Sequence, residues 1–196
     1  KLEDSELIHS RLMDRVKNVP QQQTTTSSSQ QLHMMTLEDM AVITLYTIEL
    51  GSSGFYCRLN KGLAERNGKE LMELRDLLFL LLHALRKLPL VTSSSSSPPP
   101  TTTLYRGITT KVKTDDHHYF QGNTVSWSGF SSCTTDMSVT QGFISDKNSG
   151  KTSGTLFVLN KAWGYDIKPF SWIPKEEEIL IEPGMQFKVY EKHNTS

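Results

Sequence analysis

The chain is short of cysteine, of net charge and of long apolar runs, and each shortage excludes something. Cys57 and Cys133 are the only cysteines in 196 residues, too few for a disulfide framework or a thiolate metal site, so a reducing, cytoplasmic setting is the expectation. Lysine plus arginine and aspartate plus glutamate both number 21, so no strong field draws the protein to nucleic acid or to an anionic membrane. A protein or small-molecule partner is what remains. The densest apolar stretch, Leu77-Leu78-Phe79-Leu80-Leu81-Leu82-His83-Ala84-Leu85, falls short of the roughly 20 residues of a membrane helix and reads as a buried core helix. The chain opens on Lys1 rather than methionine and shows no positive-then-apolar leader, so a longer parent protein is expected. The length suits one domain over residues 1–196, expected to be a monomer.

Two tracts cannot bury enough apolar surface to offset the entropy of ordering: Gln21 to Gln31, and Ser93 to Thr103. Between and before them lies a helical part, about residues 1–92. Glu6 to Val16 has helical periodicity through Ile8, Leu12 and Val16. Thr36-Leu37-Glu38-Asp39 sets a cap-type threonine before an acidic first turn, after which Met40, Val42, Ile43, Tyr46 and Leu50 recur at helical spacing up to Gly51. A further helix is predicted over Lys69 to Lys87. From about residue 104 to 192 the pattern changes to short strands, at Leu104 to Ile108, Thr124 to Ser128, Thr155 to Leu159, Glu178 to Glu182 and Gln186 to Tyr190, with a short helix after Asp136. Helices first and strands afterwards give an α+β architecture.

Three motifs carry chemistry. Leu104-Tyr105-Arg106-Gly107-Ile108 interrupts an apolar strand with one arginine, whose planar fork suits phosphate, and a glycine that lets a ligand reach the backbone. Val125-Ser126-Trp127-Ser128-Gly129-Phe130-Ser131-Ser132-Cys133-Thr134-Thr135-Asp136 passes from an aromatic strand into small hydroxyls, the usual chemistry of turns, with Thr135 or Asp136 capping a helix. Pro174-Lys175-Glu176-Glu177-Glu178-Ile179-Leu180-Ile181-Glu182-Pro183-Gly184 turns acids directly into an apolar strand. On an extended backbone Glu176 and Glu178 share a face and Glu177 points away. Taken singly, each motif has a bland reading as a charged edge or a turn. Asp115-Asp116-His117-His118 reads as a polar loop rather than a metal site, and the sequon Asn194-Thr195-Ser196 receives no function.

In this order the three motifs resemble the arginine, serine and glutamate signature of the mono-ADP-ribosyltransferases related to cholera toxin and the clostridial binary toxins. Arg106 matches the first-strand arginine, Ser132-Cys133-Thr134 the Ser-Thr-Ser segment, and Glu176-x-Glu178 the paired glutamates of arginine-specific members. Cys133 departs from the usual threonine. The polymerase-like branch of the superfamily, with histidine at the first-strand position, is not matched. Leu59-Asn60-Lys61-Gly62-Leu63, Ala84-Leu85-Arg86-Lys87-Leu88-Pro89 and Gly154-Thr155-Leu156-Phe157-Val158 also look like family segments, so the resemblance covers about Thr36 to Val189.

The resemblance implies N-terminal helices packed on a split, mainly antiparallel β-sandwich of the ADP-ribosyltransferase type. It implies NAD as co-substrate, no metal, and a target protein modified at arginine. Glu178 is the catalytic carboxylate, Ser132 orients it, Arg106 clamps the phosphates of NAD and Glu176 engages the acceptor guanidinium. Gly107, Thr134 and Phe143 complete the expected NAD-binding set, and Phe170 and Trp172, in the loop before the acids, are expected to meet the target. Two alternatives stay open at this point: a NAD glycohydrolase and a non-catalytic NAD-binding module.

Overall fold

The computed structural model describes residues 35–48, 50–91, 102–113, 116–144 and 154–193. The expected helix at Glu6 to Val16, the tract Gln21 to Gln31 and the terminal sequon lie outside these. The described residues form two compact units, one up to Leu90 together with Tyr165–Glu178, the other Val91–Gly164 with the chain from Ile179 onward.

The first unit is helical. Helix α1 spans Leu37–Thr47, and the expected cap is present as a full capping box. The Thr36 N–H donates to Asp39 Oδ2 at 2.7 Å and the Asp39 N–H donates to Thr36 Oγ1 at 3.3 Å. The Lys87 ammonium donates to the same Asp39 oxygen at 2.6 Å, tying the start of α1 to the chain that follows the long helix. Val42, Ile43 and Tyr46 are buried as expected, but Leu50 is 45% exposed because α1 ends at Thr47 and the next residues form a short 3-10 turn, Gly51–Ser53. Helix α2 spans Phe55–Glu65 and α3 spans Gly68–Leu85, the latter capped by Asn67, whose Oδ1 accepts from the Glu70 N–H at 3.2 Å. The dense apolar stretch of α3 is not buried all round. Leu74, Leu81, Ala84 and Leu85 face the core, whereas Phe79 is 68% exposed, its ring stacked against His83.

The second unit is built of strands: β1 (Thr102–Ile108), β2 (Thr124–Trp127), β3 (Ser131–Thr134), β4 (Thr155–Ala162), β6 (Glu178–Ile181, its first residue closing the first unit) and β7 (Met185–Lys188). The larger sheet runs in the order β4-β1-β3-β6, with β1 antiparallel to both β3 and β4, and the smaller sheet is the antiparallel pair β2-β7. Apolar residues between the sheets make the core, with Leu104, Cys133, Leu159, Ala162, Ile179 and Ile181 on one side and Trp127, Met185 and Phe187 packed against them. Helix α4, Met137–Ile144, covers the other face of β1. The two-residue strand β5, Tyr165–Asp166, belongs to the first unit, where the Ile167 N–H donates to the Glu178 carbonyl at 3.1 Å.

Two expectations are corrected. Thr102 and Thr103, taken as the end of a structureless tract, open β1, and the Thr103 hydroxyl reaches Asn160 Oδ1 on β4 at 3.3 Å. The hydroxyl run is strand rather than turn, because Cys133 supplies an inward residue to the core and the β-branched Thr134 suits a pleated surface. Helix-cap chemistry begins one step later, where Asp136 Oδ1 accepts from the Ser138 N–H at 2.8 Å, and the Ser138 hydroxyl together with that N–H holds the Asp136 carboxyl below its ordinary value.

Candidate active site

Alternation along β1 puts Leu104 and Arg106 on one face and Gly107 on the other. Leu104 belongs to the core between the sheets, so Arg106 points the same way, at its margin. The Arg106 Nη1 donates to the Ser132 carbonyl on β3 at 2.8 Å, and the guanidinium carbon sits 5.8 Å from the centre of the Trp127 ring on β2. That ring is held by Phe157, which pairs across the ladder with Arg106, at 5.2 Å, and by Phe187 at 4.9 Å. The structure therefore joins the first motif to the second through one directed hydrogen bond and an aromatic shelf. Trp127 was not singled out from the sequence, and its only sequence signal is an aromatic in the strand just ahead of the hydroxyl run.

Gly107 also has a packing task. A Cβ at this position would lie 2.8 Å from the Thr140 carbonyl oxygen and 3.1 Å from Phe143 Cβ and Ile144 Cγ2, so the missing side chain makes room for α4. Phe143 rests its base on β1 and is 39% exposed. Thr134 is buried and its hydroxyl accepts from the Asp136 N–H at 3.1 Å, joining the end of β3 to the start of α4. Cys133 packs in the core as a small hydrophobe, which accounts for the tolerance of a thiol where the family has threonine.

The acidic motif belongs to the first unit up to Glu178. Its expected extended geometry is corrected: Pro174–Glu176 is a 3-10 turn, Glu177 adopts the left-handed conformation with φ 46 and ψ 48, and the strand begins only at Glu178. Proline at the first position of the turn favours it, since φ is preset and no N–H is lost. Glu176 and Glu178 are therefore related by a turn and not by strand alternation. Glu178 is buried, and a buried carboxyl persists only where bonds replace its hydration. Glu177 is ion-paired with Lys168 at the surface.

In the preceding loop, Phe170 is buried, so its ring is not available to a target. An apolar ring next to the Thr44 anchor of the loop is better satisfied inside, where the Thr44 hydroxyl donates to the Phe170 carbonyl at 2.8 Å. Trp172 is half-buried, with its N–H donated to Thr47 Oγ1 at 2.8 Å. The polar stretch around His117 forms a short 3-10 turn closed by Asp116. Among the described residues no group of three or more His, Cys, Asp or Glu is arranged to hold a metal ion.

Comparison with known proteins agrees with this architecture. The T-cell ecto-ADP-ribosyltransferases 1 and 2 of Rattus norvegicus are each 36% identical over 94 residues, which is 47% of this chain and 29% of theirs, so the aligned stretch spans under a third of these curated relatives. Among solved structures, the eukaryotic mono-ADP-ribosyltransferase ART2.2 superposes with TM-score 0.63 at 19% identity, over 99% of this chain and 74% of that one. HopU1 of Pseudomonas syringae pv. tomato gives 0.64 at 19% identity, over 90% and 79%. The ADP-ribosyltransferase Vis, solved with agmatine, gives 0.61 at 21% identity, over 97% and 80%. These likenesses establish the ADP-ribosyltransferase fold. Residues 8–196 match the family model described as NAD:arginine ADP-ribosyltransferase, and the chain belongs to that family.

Proposed function

We propose that this protein is a mono-ADP-ribosyltransferase that moves ADP-ribose from NAD to an arginine of a target protein and releases nicotinamide. The observation that carries the reading is the anchoring of Arg106 to the Ser132 carbonyl at 2.8 Å, which unites two of the three signature positions within a chain that matches the family from residue 8 to 196. Structures of relatives supply chemical support: a mutant of ART2.2 has been solved with NAD and Vis with agmatine, a guanidinium compound.

The reaction breaks the bond between the nicotinamide nitrogen and the anomeric carbon of ribose. Positive charge develops at that carbon, so the carboxylate of Glu178 stabilises the transition state more than the ground state. Burial of Glu178 strengthens the effect, because charge interactions weaken less in a medium that excludes water. Arg106 has five N–H donors, and the Ser132 carbonyl together with the Trp127 face fixes the plane of the fork that meets the phosphates of NAD. The family signature assigns Ser132 the task of orienting Glu178. Glu176 accepts a proton from the incoming guanidinium as the new carbon–nitrogen bond forms, which a fully protonated arginine requires.

Glu176→Gln tests the assignment, since this carboxylate acts on the acceptor and not on the breaking bond. NAD hydrolysis should stay within about tenfold of wild type, and transfer to agmatine should fall roughly a hundredfold or more, the scale of a positioned general base. Equal loss of both activities, or a wild type that hydrolyses NAD and never modifies arginine, replaces the transferase by a NAD glycohydrolase.

A further inference from the structure

The loop Tyr165–Glu178 leads into the acidic turn, and most of its backbone is held. On α1, the Thr44 hydroxyl binds the Phe170 carbonyl and Thr47 Oγ1 accepts the Trp172 N–H, each at 2.8 Å. Within the loop, the Phe170 N–H donates to the Ile167 carbonyl at 2.9 Å and Ser171 Oγ accepts from the Ile173 N–H at 3.1 Å. The acidic end is built differently. Glu176 and Glu177 close a single 3-10 turn through the carbonyls of Ile173 and Pro174, at 3.1 and 3.3 Å, and Glu177 then takes a left-handed conformation that glycine, asparagine and aspartate adopt far more readily.

Glutamate at such a position calls for something that holds it, and the ion pair between Lys168 Nζ and Glu177 Oε1 does so. Lys168 is itself fixed at its backbone, where its N–H donates to Asp166 Oδ1 at 3.0 Å and its carbonyl accepts from the Ser171 N–H at 3.3 Å. The pair thus reaches from the anchored start of the loop to the link between the two functional glutamates. Both side chains are well exposed, 46% and 43%. An ion pair in that position adds little to global stability, so a purely structural role would leave little trace when it is removed.

We propose that Lys168 and Glu177 are positioning residues, whose ion pair locks the left-handed link between Glu176 and Glu178 and so aims Glu176 at the acceptor. The proposal rests on the transferase reading and deepens it. Glu177 is then no inert spacer between the catalytic carboxylates, and its substitution is felt in acceptor transfer and not in cleavage of NAD.

The experiment uses the whole chain with NAD, measured with and without agmatine, in Lys168→Met, Glu177→Gln, Lys168→Arg and the exchanged pair Lys168→Glu with Glu177→Lys. Lys168→Met and Glu177→Gln should each raise the KM for agmatine and lower the ratio of transfer to hydrolysis by about two- to fivefold, the span of couplings seen for exposed pairs. Hydrolysis without agmatine and the melting temperature should stay at wild-type values. Lys168→Arg keeps the charge and should restore the ratio, as should the exchanged pair. The proposal is overturned if the ratio does not move, if transfer and hydrolysis fall together, or if the exchanged pair is no better than the single variants. Wild-type chain that hydrolyses NAD without transferring to agmatine sinks the transferase reading itself, and this proposal with it. A transfer-competent wild type with unaffected variants sinks this proposal alone.

Discussion

Gly107→Ala separates two uses of one glycine, a ligand approach and a packing contact. The added methyl would stand 2.8 Å from the Thr140 carbonyl oxygen and 3.1 Å from Phe143 Cβ and Ile144 Cγ2. A backbone oxygen cannot swing aside as a side chain can, so one element must move by several tenths of an ångström. Strand β1 is paired on both flanks, to β3 and to β4, and α4 is the element with freedom to yield. Overpacking of this kind costs about 1–3 kcal/mol. For a domain of this size each kcal/mol lowers the melting temperature by roughly 2–4 °C, so a fall of about 4–8 °C corresponds to the middle of that range. Thermal denaturation followed by circular dichroism measures it, alongside the KM for NAD at a temperature where the variant stays folded. The Cβ direction is opposite to that of Arg106, so the KM should change far less than in an Arg106 variant. A variant that melts like wild type and binds NAD poorly would refute the packing argument and leave Gly107 with the ligand role alone.

Glu178→Gln should abolish NAD hydrolysis and transfer together, by at least about a hundredfold, the scale of one preorganised electrostatic group, in a folded protein; turnover near wild type would remove Glu178 from the mechanism. Arg106→Lys keeps the charge and loses the fork, so it should raise the KM for NAD and, by breaking the bond to the Ser132 carbonyl, cost about 1 kcal/mol of stability in a denaturant titration. Lys87→Met leaves the Asp39 carboxylate buried without its ammonium partner and should destabilise by about 2 kcal/mol, below the full cost of a broken buried pair because Lys87 is partly exposed. Burial of Asp39 pushes its carboxyl up, but the Lys87 hydrogen bond, the Thr36 amide and hydroxyl and the charge of Lys87 outweigh it and hold the group below its ordinary value. Its contribution is therefore complete above the unfolded value near pH 4 and disappears as pH falls through the lower folded value. Acid titrations of wild type and Asp39→Asn should differ in that window and run parallel above it.

Features decided by near neighbours were legible in the sequence. The Thr36 cap, the helix over Gly68–Leu85 and the short helix after Asp136 follow from side chains that satisfy amides two or three residues away. The five expected strands fall on observed ones because alternation and β-branching act within a few residues. Features that depend on distant partners were not legible. The hydroxyls of Ser131–Thr134 suggest a turn until Cys133 finds a core to join, and nothing near Gly107 in the sequence shows that α4 fills the space beside it. Phe170 is drawn inside next to a backbone anchor on α1, more than a hundred residues earlier in the chain. The acidic motif misled in its geometry, since Glu176, Glu177 and Glu178 read as one extended run, whereas Pro174 starts a turn and Glu177 inverts the backbone. Arg106 and Ser132 were identifiable through the family signature, but the bond between them and the Trp127 shelf exist only once β1, β2 and β3 are assembled.

The thiol of Cys133 sits inside the signature and also inside the core between the sheets. Reaction of a cysteine with an electrophile or an oxidant needs the sulfur to meet its attacker in the open, and burial denies Cys133 that meeting. Cys57, half-buried on α2, is the cysteine a maleimide should reach first. Thiol chemistry at the signature is thus silenced by packing, and a reporter dye attached through cysteine lands on the helical unit, leaving the strand that carries Ser132 unmarked.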